Sequence, residues 1–118
     1  MVLRKELELS KEEYYKVHLA LVNAVLPSPA KLTEKELEVL ACFMSLPDDI
    51  AMGRFGTYAR GLVKEKMKIN DSGLANYLRF LKNKRFILEK DNKLIFVPLI
   101  NIPTNEQSYS FTIKNREA

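Results

Sequence analysis

The chain has 118 residues, with 19 Lys+Arg against 15 Asp+Glu for a net charge of +4, a length that suits one domain. Its 47% hydrophobic and 29% charged residues describe a soluble globular protein, too apolar for disorder, with no uncharged run long enough to span a membrane. The opening MVLRKELELS lacks the apolar core of a signal peptide, which predicts a cytoplasmic protein, while one cysteine (Cys42) and one histidine (His18) leave no internal disulfide and disfavour a His-based metal site, a catalytic triad and enzymatic activity altogether.

Residues 2–9 alternate, with Leu3, Leu7 and Leu9 on one side and Arg4, Glu6 and Glu8 on the other, the period of a half-buried strand. Ser10 and Glu13 form a capping-box pair, opening a helix from Lys11 to Leu26 that Pro27 and Pro29 stop. This helix carries two apolar stripes, one through Tyr14, Val17, Leu21 and Ala24 and one through Tyr15, Leu19, Val22 and Leu26. A surface helix of a small monomer needs only one. Having two reads as a homodimer interface through this helix, by way of Tyr14, Tyr15, Leu19 and Val22, or as a helix sandwiched in the core.

Thr33 and Glu36 form a second capping-box pair, followed by a helix to Leu46 with Leu37, Leu40, Ala41 and Met44 inward. Pro47-Asp48-Asp49 begins a loop to Gly56, and further helices are expected over 57–68 and from Asp71 or Ser72 to Lys84. The pattern then turns to β. Residues 86–90 and 94–97 are two β-prone runs around the polar tip Asp91-Asn92-Lys93. Pro98 and Pro103 mark an extended connector, and Tyr109, Phe111 and Ile113 alternate with Ser110, Thr112 and Lys114 in a last strand over 108–114 that could pair with the first.

The charge is unevenly distributed. Residues 1–53 hold six cationic and nine anionic side chains, a net −3, whereas residues 60–93 hold ten and four, a net +6. A block this basic suits a polyanion-binding surface or a solvated lysine-rich face.

Within that block, Val63 and Met67 lie one helical turn apart, Ile69 sits in a turn, and Leu74, Leu78 and Leu81 form one stripe of the following helix. Asn70, Asp71 and Ser72 are all able to cap it, which is also the better reading of their match to a glycosylation sequon. Together with Lys82-Asn83-Lys84-Arg85-Phe86-Ile87 leading into the hairpin, this pattern resembles the winged helix-turn-helix superfamily, in particular bacterial and phage regulators of the MarR-like kind. The resemblance covers residues 32–97. It departs at Lys64, where the superfamily usually has a small residue, and at Lys68 and Arg85, where it often has glycine.

The resemblance implies an α+β fold: a single winged-helix domain over 1–118 of about four helices, with the helix-turn-helix over about 57–84, a wing over about 86–98 and extra terminal strands. It further implies that the second helix of the motif enters the major groove of duplex DNA. Mapped onto this chain, Ser72, Asn76, Arg79 and Lys82 face the DNA, Asn76 suited to adenine and Arg79 to guanine. Lys64, Lys66, Lys68, Lys84 and Arg85 serve phosphates, and Lys90 and Lys93 bracket the wing tip. Asp71 repels phosphate unless it accepts from a cytosine amine.

The expected function is that of a small dimeric transcriptional regulator, with no cofactor. The alternative is a winged-helix module for protein–protein assembly, as in a phage particle or replication complex. Tyr77 and Phe80 read as core, His18 as a packing or interface residue, and Cys42 as a small buried hydrophobe. The acidic pairs Glu12/Glu13 and Asp48/Asp49 stand at a helix start and in a loop, not in a catalytic setting.

Overall fold

In the computed structural model, which describes residues 3–47 and 55–117, helix α1 (Lys11–Val25) leads through a 3₁₀ turn at Ser28–Ala30 into α2 (Glu34–Met44). Helices α3 (Thr57–Met67) and α4 (Asp71–Asn83) follow, then strands β1 (Ile87–Lys90) and β2 (Lys93–Phe96) and a 3₁₀ turn at Pro98–Ile100. The architecture is therefore α+β: four helices and a C-terminal two-stranded antiparallel hairpin, each close to its expected span. Most of the expected 47–56 loop, including Asp48 and Asp49, lies outside the described residues.

Local chemistry sets the helix ends. The Ser10 hydroxyl accepts from the Glu13 N–H (3.3 Å), giving one half of the expected capping box. The second box is complete: Thr33 Oγ1 accepts from the Glu36 N–H (3.2 Å), and Glu36 Oε1 accepts from the Thr33 N–H (2.8 Å). Among the three candidate caps of α4, Asn70 does the work, its Oδ1 accepting from the Gly73 N–H at 2.7 Å. A Cβ at Gly73 would come 3.0 Å from that oxygen, so glycine leaves the cap its room.

Helix α2 is the centre of the molecule. Val39, Leu40, Ala41, Cys42, Phe43 and Met44 are all buried, because α1, α3 and α4 each pack against it. The expected inward set was one stripe, and the structure buries the helix nearly all round. Phe55 extends this core to the hairpin: its ring stacks at 4.9 Å on Phe43 and meets Phe96 edge-on at 5.1 Å.

That packing corrects the expected homodimer contact. Tyr15 and Leu19 are buried within the protomer's own core, so the second stripe of α1 is the sandwiched kind, and Tyr14 and Val22 pack partly against the same core. Neither sidechain that the stripe was meant to offer a partner at its centre is accessible.

The expected terminal strands over 2–9 and 108–114 are not formed among the described residues, where the hairpin is the one sheet. A period-2 pattern needs an edge with free N–H and C=O groups to become a strand, and neither segment reaches one. The C-terminal segment instead lies along α1. Tyr14 Oη donates to the Pro103 carbonyl at 2.5 Å, and Tyr109 Oη is 2.5 Å from Nδ1 of the buried His18.

Burial pushes the His18 imidazole below its ordinary pKa of 6.5, against a smaller opposing pull from the Ile100 carbonyl. A depressed folded-state value means that this docking is fully stable above about pH 6.5 and weakens as pH falls through that value towards the folded one. The Tyr109 ring is expected to leave His18 between pH 7 and pH 5, read from the chemical shifts of its ring protons, and a His18→Phe variant to lose that dependence.

Two joints use left-handed backbone. Lys68 (φ 55°) closes α3, with the Ile69 N–H returning to the Lys64 carbonyl at 3.1 Å. Arg85 (φ 65°) follows α4, with the Phe86 N–H returning to the Leu81 carbonyl at 2.9 Å. These are Schellman-type closures in which glycine carries no Cβ penalty. Lys68→Gly and Arg85→Gly should each raise stability by about 1 kcal/mol, read from urea denaturation midpoints.

The hairpin turn is Asp91-Asn92, at φ 52° and 63°, a two-residue turn of the I′ kind. Lys93, expected in the tip, is thereby the first residue of β2, paired across from Lys90.

Candidate nucleic-acid interface

The stripe Leu74, Leu78 and Leu81 turns α4 onto the core, so the opposite side faces solvent. Ser72, Asn76, Arg79 and Asn83 recur there at intervals of four, three and four residues and are all exposed. They form a continuous row of hydrogen-bonding side chains about 16 Å long, at 1.5 Å of rise per residue. Ser72 Oγ donates back to the Asn70 cap at 3.2 Å. Arg79 places its guanidinium 5.4 Å from the Phe80 ring centroid. Phe80, expected in the core, is exposed beside this row, because it sits next to the stripe without belonging to it.

Of the ten cations of the basic block, Arg60 donates its Nε–H to the Phe55 carbonyl at 2.7 Å, and the other nine divide into two sets. In the first, each lysine is matched by a carboxylate. Lys64 Nζ pairs with Asp71, Lys66 with Glu12 (2.6 Å), Lys82 with Glu89 (2.9 Å) and Lys84 with Glu36 (2.6 Å). Asp71 and Glu89 are held below the ordinary carboxylate range chiefly by the hydrogen bonds from Lys64 and Lys82. The Lys66 bond holds Glu12 down in the same way and raises Lys66 itself. Glu36 is pushed up by burial, but the bonds from Lys84 and Thr33 outweigh it and leave the carboxyl below its usual value.

Lys66 thus points to the start of α1 and Lys84 to the start of α2. The structure does not bring these two expected phosphate contacts to the α4 row, whereas Lys64 and Lys82 stand at that helix already paired. Pairing at exposed positions is weak and exchangeable, so Lys64 and Lys82 remain able to turn to another anion.

In the second set, Lys68, Arg79, Arg85, Lys90 and Lys93 make no ion pair with any described residue, and all are exposed. Lys68 precedes α4 and Arg85 follows it, so uncommitted positive charge stands at both ends of the helix. Lys90 and Lys93 face each other across the hairpin turn, an arrangement that costs some cross-strand repulsion and concentrates charge at the tip.

Among the described residues, no group of three or more His, Cys, Asp or Glu side chains gathers as a metal site, and no helix is long and apolar enough to cross a membrane. Cys42 is buried, and burial raises its thiol above the ordinary value, so it is not poised as a thiolate. Comparisons with protein-family models, with curated proteins and with solved structures found no match for this chain.

Proposed function

We propose that this chain is a winged helix-turn-helix protein that binds duplex DNA, acting in the cytoplasm as a small dimeric regulator of transcription. In this reading α3 and α4 are the helix-turn-helix and the β1–β2 hairpin is the wing. The left-handed backbone at Lys68 and Arg85, the two positions where the superfamily often has glycine, supports it. The observation that carries it is the row Ser72, Asn76, Arg79 and Asn83 on the solvent side of α4, with unpaired Lys68 and Arg85 at its ends.

Asn76 and Arg79 then read base edges, each able to discriminate by about 1–3 kcal/mol, and Ser72 contacts a phosphate or base. Lys68, Arg85, Lys90 and Lys93 position the duplex through its phosphates. Two copies would address half-sites about one helical turn apart.

A second reading, a winged-helix module for protein assembly, draws support from Asp71 and Glu89. These acids occupy Lys64 and Lys82, thinning the positive charge where a duplex would lie. Fluorescence anisotropy with a labelled random-sequence duplex separates the two. Binding that weakens steeply between ~50 and ~200 mM salt is the expected result. No binding at the lowest salt would overturn the DNA reading in favour of assembly.

A further inference from the structure

The radius of gyration is 15.8 Å, whereas a compact domain of this length has about 13.5 Å. The excess accompanies two exposed, extended arms, residues 3–9 and 109–114, that carry large apolar side chains into solvent. Leu3 and Leu7 are 85% and 60% exposed, and Phe111 and Ile113 are 60% and 96% exposed. Each arm keeps the alternation of a strand with one face to bury, yet neither has a strand neighbour in its own protomer.

The C-terminal arm also leads away from the root of the other. The C-terminal segment passes Tyr14 at Pro103 and His18 at Tyr109, so it runs in the same direction as α1 and moves away from Ser10, where the other arm joins that helix. His18 already lies about 12 Å of helix rise beyond Ser10. Past it, the outer side of α1 offers exposed Ala24 and Val25 and half-buried Leu21. A partner for each arm must therefore come from outside the protomer, and the two sequences complement each other. An antiparallel pairing of residues 6–9 with 111–114 sets Leu7 opposite Ile113, Leu9 opposite Phe111 and Glu6 opposite Lys114, the last a cross-strand match of opposite charges.

We propose that a second copy of this chain covers the arms: residues 6–9 of each protomer pair as a β-strand with residues 111–114 of the other, in a reciprocal exchange against the outer side of α1. The two-fold symmetry makes the contact self-complementary, and it closes the exposed strand edges that each arm presents alone. The inference rests on the dimer part of the proposed function and relocates the contact from the buried residues of α1 to the arms.

Light scattering on size-exclusion fractions of the full chain, at micromolar concentration, tests it. The expected mass is twice the 13.6 kDa chain. Phe111→Glu with Ile113→Glu is expected to raise the dimer dissociation constant ~100-fold or more while leaving the helical circular dichroism unchanged, since both positions are exposed in the protomer. Glu6→Lys should weaken the dimer, and Lys114→Glu added to it should restore association. A monomeric wild-type chain overturns the dimer reading itself. A dimer indifferent to the arm variants, or a charge reversal that Lys114→Glu does not rescue, overturns the exchange and leaves the dimer standing. DNA affinity, measured separately, bears on neither outcome.

Discussion

Replacing Lys68, Arg85, Lys90 and Lys93 together by glutamine is expected to lower duplex affinity ~1,000-fold near physiological salt. Each phosphate neutralised releases about 0.9 counterion, so four lost contacts flatten the slope of log affinity against log salt by between three and four. These four cations are chosen because they make no ion pair with any described residue, so their charge is available to a polyanion without breaking anything in the fold. The matched control is Lys66→Gln. Lys66 is bound to Glu12 on the start of α1, and its loss should change affinity by no more than about twofold. Arg79→Ala should act differently from both, costing about 1–3 kcal/mol on the preferred sequence and relaxing preference at one base pair, with the salt slope changed by about one at most. Anisotropy titrations across a salt series, on specific and scrambled duplexes, read all three. Equal losses for Lys66→Gln and for the unpaired cations would mean that the division of charges drawn from the fold is irrelevant to binding.

The helices were legible because their boundaries are written locally. Ser10, Thr33 and Asn70 each satisfy a backbone N–H within three residues, and Pro27 ends α1 by its own covalent structure. The hairpin was legible for the same reason, since the Asp91-Asn92 turn and its flanking β-prone runs are contiguous. The row Ser72, Asn76 and Arg79 followed from the inward stripe of α4, and the structure leaves it outward.

What was not legible depends on residues far apart in the chain. A lysine-rich block looks uniformly available until Glu12 and Glu36, distant in sequence, claim Lys66 and Lys84. The burial of α2 on nearly every side comes from three helices converging on it, which its own stripe does not announce. Phe55 looked like part of a loop, yet it bridges α2 and β2. The arms carry a true strand period, but a period states only what the segment would bury, never whether an edge is within reach.

The largest stability effect is expected at the pair between Glu36 and Lys84. Glu36 caps α2 from within its first turn and is buried, its side chain only 6% exposed, while Lys84 reaches it from the end of α4 at 2.6 Å. Two distant elements are thus joined by one charge-assisted bond, next to the left-handed Arg85 that aims the chain into β1. Lys84→Met removes the cation and leaves a buried carboxylate with Thr33 as its partner, at an expected cost of about 3 kcal/mol at neutral pH, the low end for a broken buried pair because Lys84 is partly exposed.

The sign of the pH dependence follows. In the wild type the Glu36 value lies below its ordinary 4.5, so the contribution is present above that pH and is lost as pH falls through the folded value. In Lys84→Met, burial is opposed by fewer bonds, so the folded value rises from its wild-type position and acidification takes less stability from the variant than from the wild type. The difference between wild type and variant should therefore shrink from pH 7 to pH 4. Adding Glu36→Gln should recover most of the loss at pH 7, since glutamine removes the charge and its side-chain oxygen still accepts from the Thr33 N–H. Urea denaturation of the wild type and the two variants at both pH values decides it, and a cost that is small and independent of pH would show that the pair holds nothing together. The same Lys84→Met protein, once folded, should keep the wild-type salt slope for DNA, because the lysine it lacks was facing α2 and not a phosphate.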